Sequence, residues 1–203
     1  MANAIELRNK LEELAAAEYA VSKKYIRPIV LFQAEPKGKE EATTFEKIRE
    51  KLIAYDIPAE QIAIRTADVN ELKSTELMSE DCPIRYIITV NALSEGWDCP
   101  FAYVLATVAN RTSTVDVEQI LGRVLRLPYT QKNSSEVLNL SYVITSSADF
   151  HQTLEKVVAG LNSAGFSSRD YRAQDVDVPI TAVPTQEPEQ LPIVPPAADE
   201  PDL

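Results

Sequence analysis

Apolar residues recur along the first part of the chain in two different patterns, one typical of a helix and one of a buried strand. Residues 3–24 place apolar side chains on one helical face, with charged residues between them: Leu7, Leu11, Leu14 and Tyr19. The run RPIVLFQAE is continuously apolar after Pro28, which predicts a strand that is buried on both faces and ends near Gln33.

The same alternation of helix and strand patterns continues through residue 165. A second helix is predicted over KEEATTFEKIREKLIAYD, with its buried stripe at Phe45, Ile48, Leu52 and Tyr55. Strands are predicted over QIAIRTA, IRYIITVN, AYVLATVAN and SEVLNLSYVITSS, with a short helix or turn in NELKSTELMSED. Further helices are predicted over residues 114–125 and over FHQTLEKVVAGLNSAG, the latter capped by Asp149. This order predicts a doubly wound α/β domain with a mainly parallel sheet.

The composition changes near residue 174. Residues 174–203 are rich in proline, lack aromatic residues and carry seven acidic residues with no lysine or arginine. Such a segment buries too little apolar surface to offset the entropy of ordering, which predicts a disordered tail or linker. We therefore divide the chain into an N-terminal helical linker segment (1–26), the α/β domain (27–173) and the acidic Pro-rich tail (174–203).

Charge and cysteine content restrict the function classes. The net charge of −11 falls to about −4 without the tail, with 24 acidic and 20 basic residues remaining, so any phosphate-binding surface must be local. Two cysteines (Cys82 and Cys99) and one histidine (His151) provide no metal-binding pattern. With no signal peptide and no apolar run of membrane-spanning length, the expected location is the reducing cytoplasm, without a membrane partner.

The stretch EGWDCP follows a predicted strand, so we expect it in a loop at that strand's carboxyl end. Gly96 lets the backbone approach a ligand closely, and the carboxylate of Asp98 could accept a hydrogen bond from a ribose hydroxyl. Taken alone, the stretch is more typical of a surface turn with a solvated Asp98 and Trp97 packed on the domain. Cys99 is expected to be a small loop residue and no nucleophile.

The stretch QILGRVLR places two arginines, Arg123 and Arg126, on one helical face. Such a helix is common on protein surfaces. Here, however, the arginines lie among apolar residues, and Gly122 costs roughly 1 kcal/mol within a helix, which suggests close packing against another backbone. Two planar guanidinium groups at the edge of a packed surface suit a polyphosphate ligand.

Together these stretches resemble the second RecA-like domain of superfamily 2 helicases. NALSEGWDCP is similar to their motif V, QILGRVLR to motif VI (Q-x-x-G-R-x-x-R) and IVLFQAE to motif IV, in the same order along the chain. The resemblance covers residues 27–172 and is closest to the motor subunit of type III restriction enzymes and its DEAD/DEAH-type relatives. It implies a RecA-like three-layer α/β fold.

The resemblance also implies a role for each matching residue. Asp98 would contact the ribose of ATP, Gly96 would allow the nucleotide to approach, and Gln119 would reach the nucleotide or couple it to the nucleic-acid site. Arg123 and Arg126 would act on the γ-phosphate, at least one as an arginine finger.

Two further residues would face the nucleic-acid backbone, Gln33 and Thr89. The match at Thr89 departs from the family pattern, because the family often has its threonine one position nearer the glycine, where this chain has Val90.

Two elements of a complete motor are missing from the sequence. None of the five glycines belongs to a G-x-x-x-x-G-K-[ST] loop, and no D-E-x-[HD] run supplies a Mg²⁺ ligand. In the family both elements belong to the first RecA-like domain, which would bind most of the ATP and Mg²⁺.

We therefore expect this chain to be inactive alone and to work as the second motor domain of an ATP-dependent DNA helicase or translocase. Its partners would be a first RecA-like domain, DNA and a DNA methyltransferase subunit. The alternative is a stand-alone, non-catalytic module that binds nucleic acid or protein and regulates a complete motor.

Overall fold

The computed structural model describes residues 1–35, 43–90, 99, 101–107 and 132–145, together with Glu155, Val158, Ala159 and Asn162. All of them belong to one structural unit, Met1–Ala173. Glu155, Val158, Ala159 and Asn162 are helical, in agreement with the helix predicted after Asp149. The helix predicted over residues 114–125 and the tail predicted over 174–203 lie outside the described residues.

Five strands form one parallel sheet. They are β1 (Ile29–Gln33), β2 (Ile62–Ile64), β3 (Tyr86–Thr89), β4 (Ala102–Thr107) and β5 (Tyr142–Thr145), in the order β2-β3-β1-β4-β5. Every pairing between neighbouring strands is parallel. Two α-helices, α1 (Ala2–Ser22) and α2 (Phe45–Ala54), and two 3₁₀ helices, η1 (Ala59–Gln61) and η2 (Glu136–Asn139), accompany the sheet. The predicted fold class, an α/β domain with a mainly parallel sheet, is confirmed, and its RecA-like type stays a prediction.

The three central strands form the middle of the hydrophobic core. All residues of β1, β3 and β4 are buried, which requires cover on both faces of the sheet and explains why their sequences are apolar up to the last residue. Phe32 of β1 and Tyr86 of β3 stack on one face with ring centroids 6.5 Å apart. The guanidinium group of Arg8 from α1 lies 5.7 Å from the centroid of the Tyr86 ring on the same face.

Helix α1 runs across the amino-terminal edge of the sheet. Arg8 donates from Nε to the carbonyl of Pro28, immediately before β1, over 3.2 Å. Arg85, immediately before β3, donates from Nε to the Glu12 carboxylate over 2.9 Å, and Glu12 also pairs with Arg8. The helix is thus fixed by charged side chains to the segments that lead into the two central strands.

The C-terminal part of α1 is bound to the segment before β5. The carboxylate of Glu18 accepts the backbone N–H groups of Ser134 (3.0 Å) and Ser135 (3.2 Å), and these bonds hold its pKa below the ordinary value. Glu18 lies 116 residues before Ser134 in sequence, so this contact joins distant parts of the chain.

The buried face of α1 differs from the predicted stripe. Its buried residues are Ala4, Leu7, Arg8, Leu11, Ala15 and Glu18, whereas Leu14 is half-buried and Tyr19 is exposed. The predicted burial of Leu7 and Leu11 is therefore confirmed, and the predicted burial of Tyr19 is wrong. The physical reason is that the helix packs against strand beginnings, where backbone groups need polar partners, so charged side chains occupy part of its buried face.

Two other elements differ in detail from the prediction. In α2, Ile48 and Leu52 are buried as predicted, but Tyr55 lies beyond the helix end and is exposed. The run SEVLNLSYVITSS forms η2 followed by β5, where one strand was predicted. Reciprocal hydrogen bonds curl this segment before β5, since Asn133 N–H donates to Asn139 Oδ1 (2.7 Å) and Asn139 Nδ2 donates to the Asn133 carbonyl (3.0 Å).

The outer edge of β2 is occupied by a side chain. Ile64 N–H donates to Glu71 Oε2 over 2.8 Å, and Glu71 N–H donates back to the Ile64 carbonyl over 3.0 Å. An ion pair of 2.9 Å between Arg49 of α2 and Glu71 holds the carboxylate in this position. Across the described part of the chain, no helix combines the length and the apolar character that crossing a membrane requires.

Candidate nucleotide and nucleic-acid site at the carboxyl edge of the sheet

Polar residues end the three central strands, in register with one another. Gln33 is the last residue of β1, and its partners are Thr89, the last residue of β3, and Thr107, the last residue of β4. Residues in register on parallel strands project to the same face of the sheet. The side chains of Thr89, Gln33 and Thr107 therefore form one row, which we call the polar row.

The polar row lies at the carboxyl edge of the sheet and on the face opposite to Phe32. Successive side chains of a strand alternate between faces, so Gln33 and Phe32 point in opposite directions. Carboxyl ends of parallel strands are where ligands bind in open α/β sheets. Two predicted site residues, Gln33 and Thr89, are thus neighbours at the edge where a site was expected.

All three side chains of the polar row are buried. The exposed fractions are 5% for Gln33, 1% for Thr89 and 4% for Thr107. Thr89 and Thr107 both take part in further interactions, so neither residue is without a partner. The role of Gln33 and Thr89 at a nucleic-acid backbone stays a prediction, and this burial means that neither side chain faces solvent in the structure.

The backbone beyond the polar row is tightly fixed. Ala34 N–H donates to the Thr89 carbonyl over 2.7 Å, which extends the pairing of β1 and β3 past the last strand residue. Glu35 N–H donates to the Thr43 carbonyl (2.9 Å), and Thr43 N–H donates to Glu35 Oε2 (2.7 Å). This reciprocal pair joins the end of β1 to the residue before Thr44, the N-cap of α2.

The EGWDCP stretch lies between β3 and β4. Gly96, Trp97 and Asp98 are outside the described residues, so their predicted contacts stay predictions. Cys99 is described: it is buried, and its carbonyl accepts a hydrogen bond from Ala102 N–H (3.0 Å) at the beginning of β4. Because β3 and β4 are parallel, the segment between them joins opposite edges of the sheet. Cys99 therefore lies near the amino edge, and the prediction of a loop at the carboxyl edge is wrong for this residue.

The QILGRVLR stretch follows β4 in sequence. Gln119, Arg123 and Arg126 lie outside the described residues, and their roles also stay predictions. The strand that precedes this stretch, β4, is described. It is a direct neighbour of β1, and its last residue, Thr107, is in register with Gln33.

Sequence reasoning missed Thr107 as a member of the row. A signal for it was present in the sequence, because four strands end in a single Gln or Thr. These strands are β1 (IVLFQ), β3 (YIIT), β4 (AYVLAT) and β5 (YVIT). Thr145, the last residue of β5, is in register with Thr107. Aligning the predicted strands by their last residues, as a parallel sheet requires, would have revealed the row.

Comparisons with known proteins complete the description of this region. No family model and no curated protein matches the chain. Among solved structures, the S. cerevisiae Dbp5 C-terminal domain bound to Gle1 and IP6 is similar with a TM-score of 0.41 and 13% identity, over 78% of this chain and 81% of that one. The ATP-dependent Type ISP restriction-modification enzyme LlaBIII bound to DNA is similar with a TM-score of 0.41 and 17% identity, over 68% of this chain and 10% of that one. Neither similarity is high enough to bear on what this chain does.

Proposed function

We propose that this chain is the second motor domain of an ATP-dependent DNA helicase or translocase, and that the complete protein resembles the motor subunit of type III restriction enzymes. The proposal rests first on the order of three motif-like stretches in the sequence, IVLFQAE, NALSEGWDCP and QILGRVLR. The complete motor would work in the cytoplasm with a first RecA-like domain, with DNA and with a DNA methyltransferase subunit.

One structural observation supports the proposal above the others, the position of β1 between β3 and β4. The first stretch is β1 itself, the second follows β3, and the third follows β4. The ends of these strands are consecutive at the carboxyl edge, joined by the register of Thr89, Gln33 and Thr107. The chain segments that lead into the second and third stretches therefore leave the sheet from the two strand ends on either side of the end of β1, which supports a shared site.

The chemistry of the donors fits a nucleotide between two domains. Arg123 and Arg126 each present a planar fork of N–H donors that matches phosphate oxygens. Asp98 offers an acceptor for a ribose hydroxyl, Gly96 leaves room for the nucleotide, and Gln119 offers both a donor and an acceptor. ATP with Mg²⁺, held mainly by the first domain, supplies the phosphoryl group whose developing charge the arginines stabilise.

The test is ATP turnover by the complete motor protein, in which this domain accompanies a first RecA-like domain. Arg126→Ala should lower turnover by about 10³–10⁵-fold, the range of arginine fingers, without lowering the melting temperature. Arg126→Lys should restore little, because an ammonium group cannot reproduce the fork. The matched control is Arg49→Ala, which removes an arginine from an ion pair on α2 and should leave turnover unchanged.

Two outcomes would contradict the proposal. The first is near-normal turnover in the Arg126→Ala variant, or a loss that comes from unfolding. The second is ATP hydrolysis by this chain alone at about 1 s⁻¹ or faster, a rate typical of enzymes, because its sequence has neither a phosphate-binding loop nor the Mg²⁺ carboxylate.

A further inference from the structure

Helix α1 faces the core along most of its length. Its buried residues recur with the three- to four-residue spacing of one helical face, and they are Ala4, Leu7, Arg8, Leu11, Ala15 and Glu18. Ala4 and Leu11 are completely inaccessible to solvent (0% exposed). A helix that only bridges two domains through solvent is polar on all sides. The burial of this face distinguishes α1 from such a helix.

Polar contacts fix α1 to the beginnings of two central strands. Arg8, only 5% exposed, donates from Nε to the carbonyl of Pro28, ahead of β1, over 3.2 Å. Glu12 accepts a hydrogen bond from Arg85, ahead of β3, over 2.9 Å, and it also pairs with Arg8. The Arg8 guanidinium lies over the ring of Tyr86 in β3, which is fully buried. Detaching α1 would remove these bonds and uncover apolar surface of β3.

The other end of α1 is fixed to a different part of the chain. The carboxylate of Glu18 accepts the N–H groups of Ser134 (3.0 Å) and Ser135 (3.2 Å), in the segment before β5. Arg8 and Glu18 lie about 15 Å apart along the helix axis, at 1.5 Å per residue. Attachments at two such distant points prevent the helix from swinging about either one.

Residues 23–28, which the structure describes in full, connect α1 to β1 without a flexible joint. Lys23 caps the helix, and its N–H donates back into the last turn over 3.0 Å. Ile26 and Arg27 are buried, with 4% and 0% exposed, and the ring of Tyr25 meets the ring of Phe101 edge-on with centroids 6.0 Å apart. A hinge is a short segment that absorbs a large change in backbone angles. Such a change here would pull Ile26 and Arg27 out of the core.

We infer that α1 moves with the sheet as one rigid body, so that residues 1–26 belong to the α/β domain and do not act as a flexible linker. In a complete motor, the joint that lets the two motor domains move then lies before α1, a consequence that rests on the proposed function. With 21 residues, α1 is about 32 Å long. It would carry a movement of the preceding domain to the segments ahead of β1, β3 and β5.

The first experiment is native-state hydrogen exchange on this chain, in urea concentrations below its unfolding transition. If α1 and the sheet open only together, the amides of residues 7–18 and those of β1 should show the same dependence on urea, with protection factors within about 10-fold of each other. Exchange of residues 7–18 that is faster than this and independent of urea would overturn the inference, because α1 would then open alone.

A substitution at Leu11 makes the same measurement sharper. Leu11→Ala removes a fully buried side chain from α1, so it should speed exchange in α1 and in β1 by the same factor, about 30-fold or more. Val21→Ala is the matched control, because Val21 lies on the same helix and is 79% exposed; it should change neither rate by more than about 3-fold. Faster exchange confined to α1 in the Leu11→Ala variant would contradict the inference. The comparison in the unmodified chain decides the question even if this variant does not fold.

A second experiment measures the same rigidity in the complete motor protein, as the distance between two spin labels. Ala17→Cys and Glu50→Cys place the labels at exposed positions of α1 and α2. This distance should be narrowly distributed and should not change when a nonhydrolysable ATP analogue is added. A broad or shifted distribution would contradict the inference, whatever Arg126→Ala does to turnover. An unchanged distance together with normal turnover in the Arg126→Ala variant would refute the proposed function and leave the rigidity of α1 intact.

Discussion

The guanidinium group of Arg27 is a fully buried cation whose removal should destabilise the domain strongly. It donates to the backbone carbonyls of Ser79 (2.7 Å) and Leu77, and it lies next to two aromatic rings, 5.8 Å from the centroid of Tyr25 and 5.6 Å from that of Phe101. No carboxylate partner for it is present among the described residues. Arg27 thus joins the segment before β1 to the turns that precede β3.

The magnitude follows from these contacts. Hydrogen bonds that involve a charged group contribute about 1.5–3 kcal/mol each, and a desolvated cation–π contact about 1–2 kcal/mol. Their sum is reduced by the cost of burying the charge, so Arg27→Ala should lower the free energy of unfolding by about 3–5 kcal/mol. That is a large part of the roughly 5–15 kcal/mol that stabilises a typical domain.

The assay is urea unfolding followed by far-ultraviolet circular dichroism, with hydrogen exchange of residues 72–82 as a local measurement. Arg27→Lys keeps the charge but cannot reach both carbonyls, so it should recover less than half of the loss. Arg49→Ala is the control, because its ion pair with Glu71 is partly exposed and should cost at most about 1 kcal/mol. A loss below about 1 kcal/mol for Arg27→Ala would refute the reasoning, since desolvation would then cancel the hydrogen bonds.

Two further predictions concern pH. The hydrogen bonds from Ser134 and Ser135 lower the pKa of Glu18 from 4.5, so its contribution to stability is present above pH 4.5 and is lost as the pH falls through the lowered pKa. Glu18→Gln should therefore reduce stability at pH 7 and flatten its acid dependence, as measured by urea unfolding between pH 3 and pH 7; an unchanged acid slope would contradict this. Burial raises the pKa of Tyr142 to about 12, and its hydroxyl donates to the Val137 carbonyl over 3.0 Å. The unfolded chain ionises first, so stability should fall from pH 10 to about 12; Tyr142→Phe should weaken this fall and cost about 1 kcal/mol at pH 7, and an identical alkaline profile would count against it.

The sheet was predictable because burial on both faces leaves a direct trace in sequence. Runs such as IVLFQ and AYVLAT contain apolar residues at every position before the last, and only a covered strand tolerates that pattern. The buried face of α1 was less predictable. Its buried polar residues bond to backbone groups elsewhere in the chain, such as the N–H group of Ser134. Which backbone groups lie next to the helix depends on the tertiary fold and is not visible in the local sequence.

The candidate site also has features that the sequence could predict and features that it could not. Gln33 and Thr89 could be proposed from the motif resemblance, and the structure brings them into register. Their burial could not be foreseen, since it depends on neighbouring strands and on what covers the edge. Thr107 was missed because the motif resemblance directs attention to residues that would touch the ligand, whereas its place becomes visible only when strand ends are compared.

The contact between Glu71 and Ile64 has a consequence for the behaviour of the protein in concentrated solution. An outer strand with free N–H and carbonyl groups can recruit the strand of another molecule and begin an aggregate. At Ile64 both outward groups are already bonded to Glu71, and the ion pair with Arg49 keeps the carboxylate in place. The arrangement makes β2 a poor template at Ile64 for pairing with a strand of another molecule.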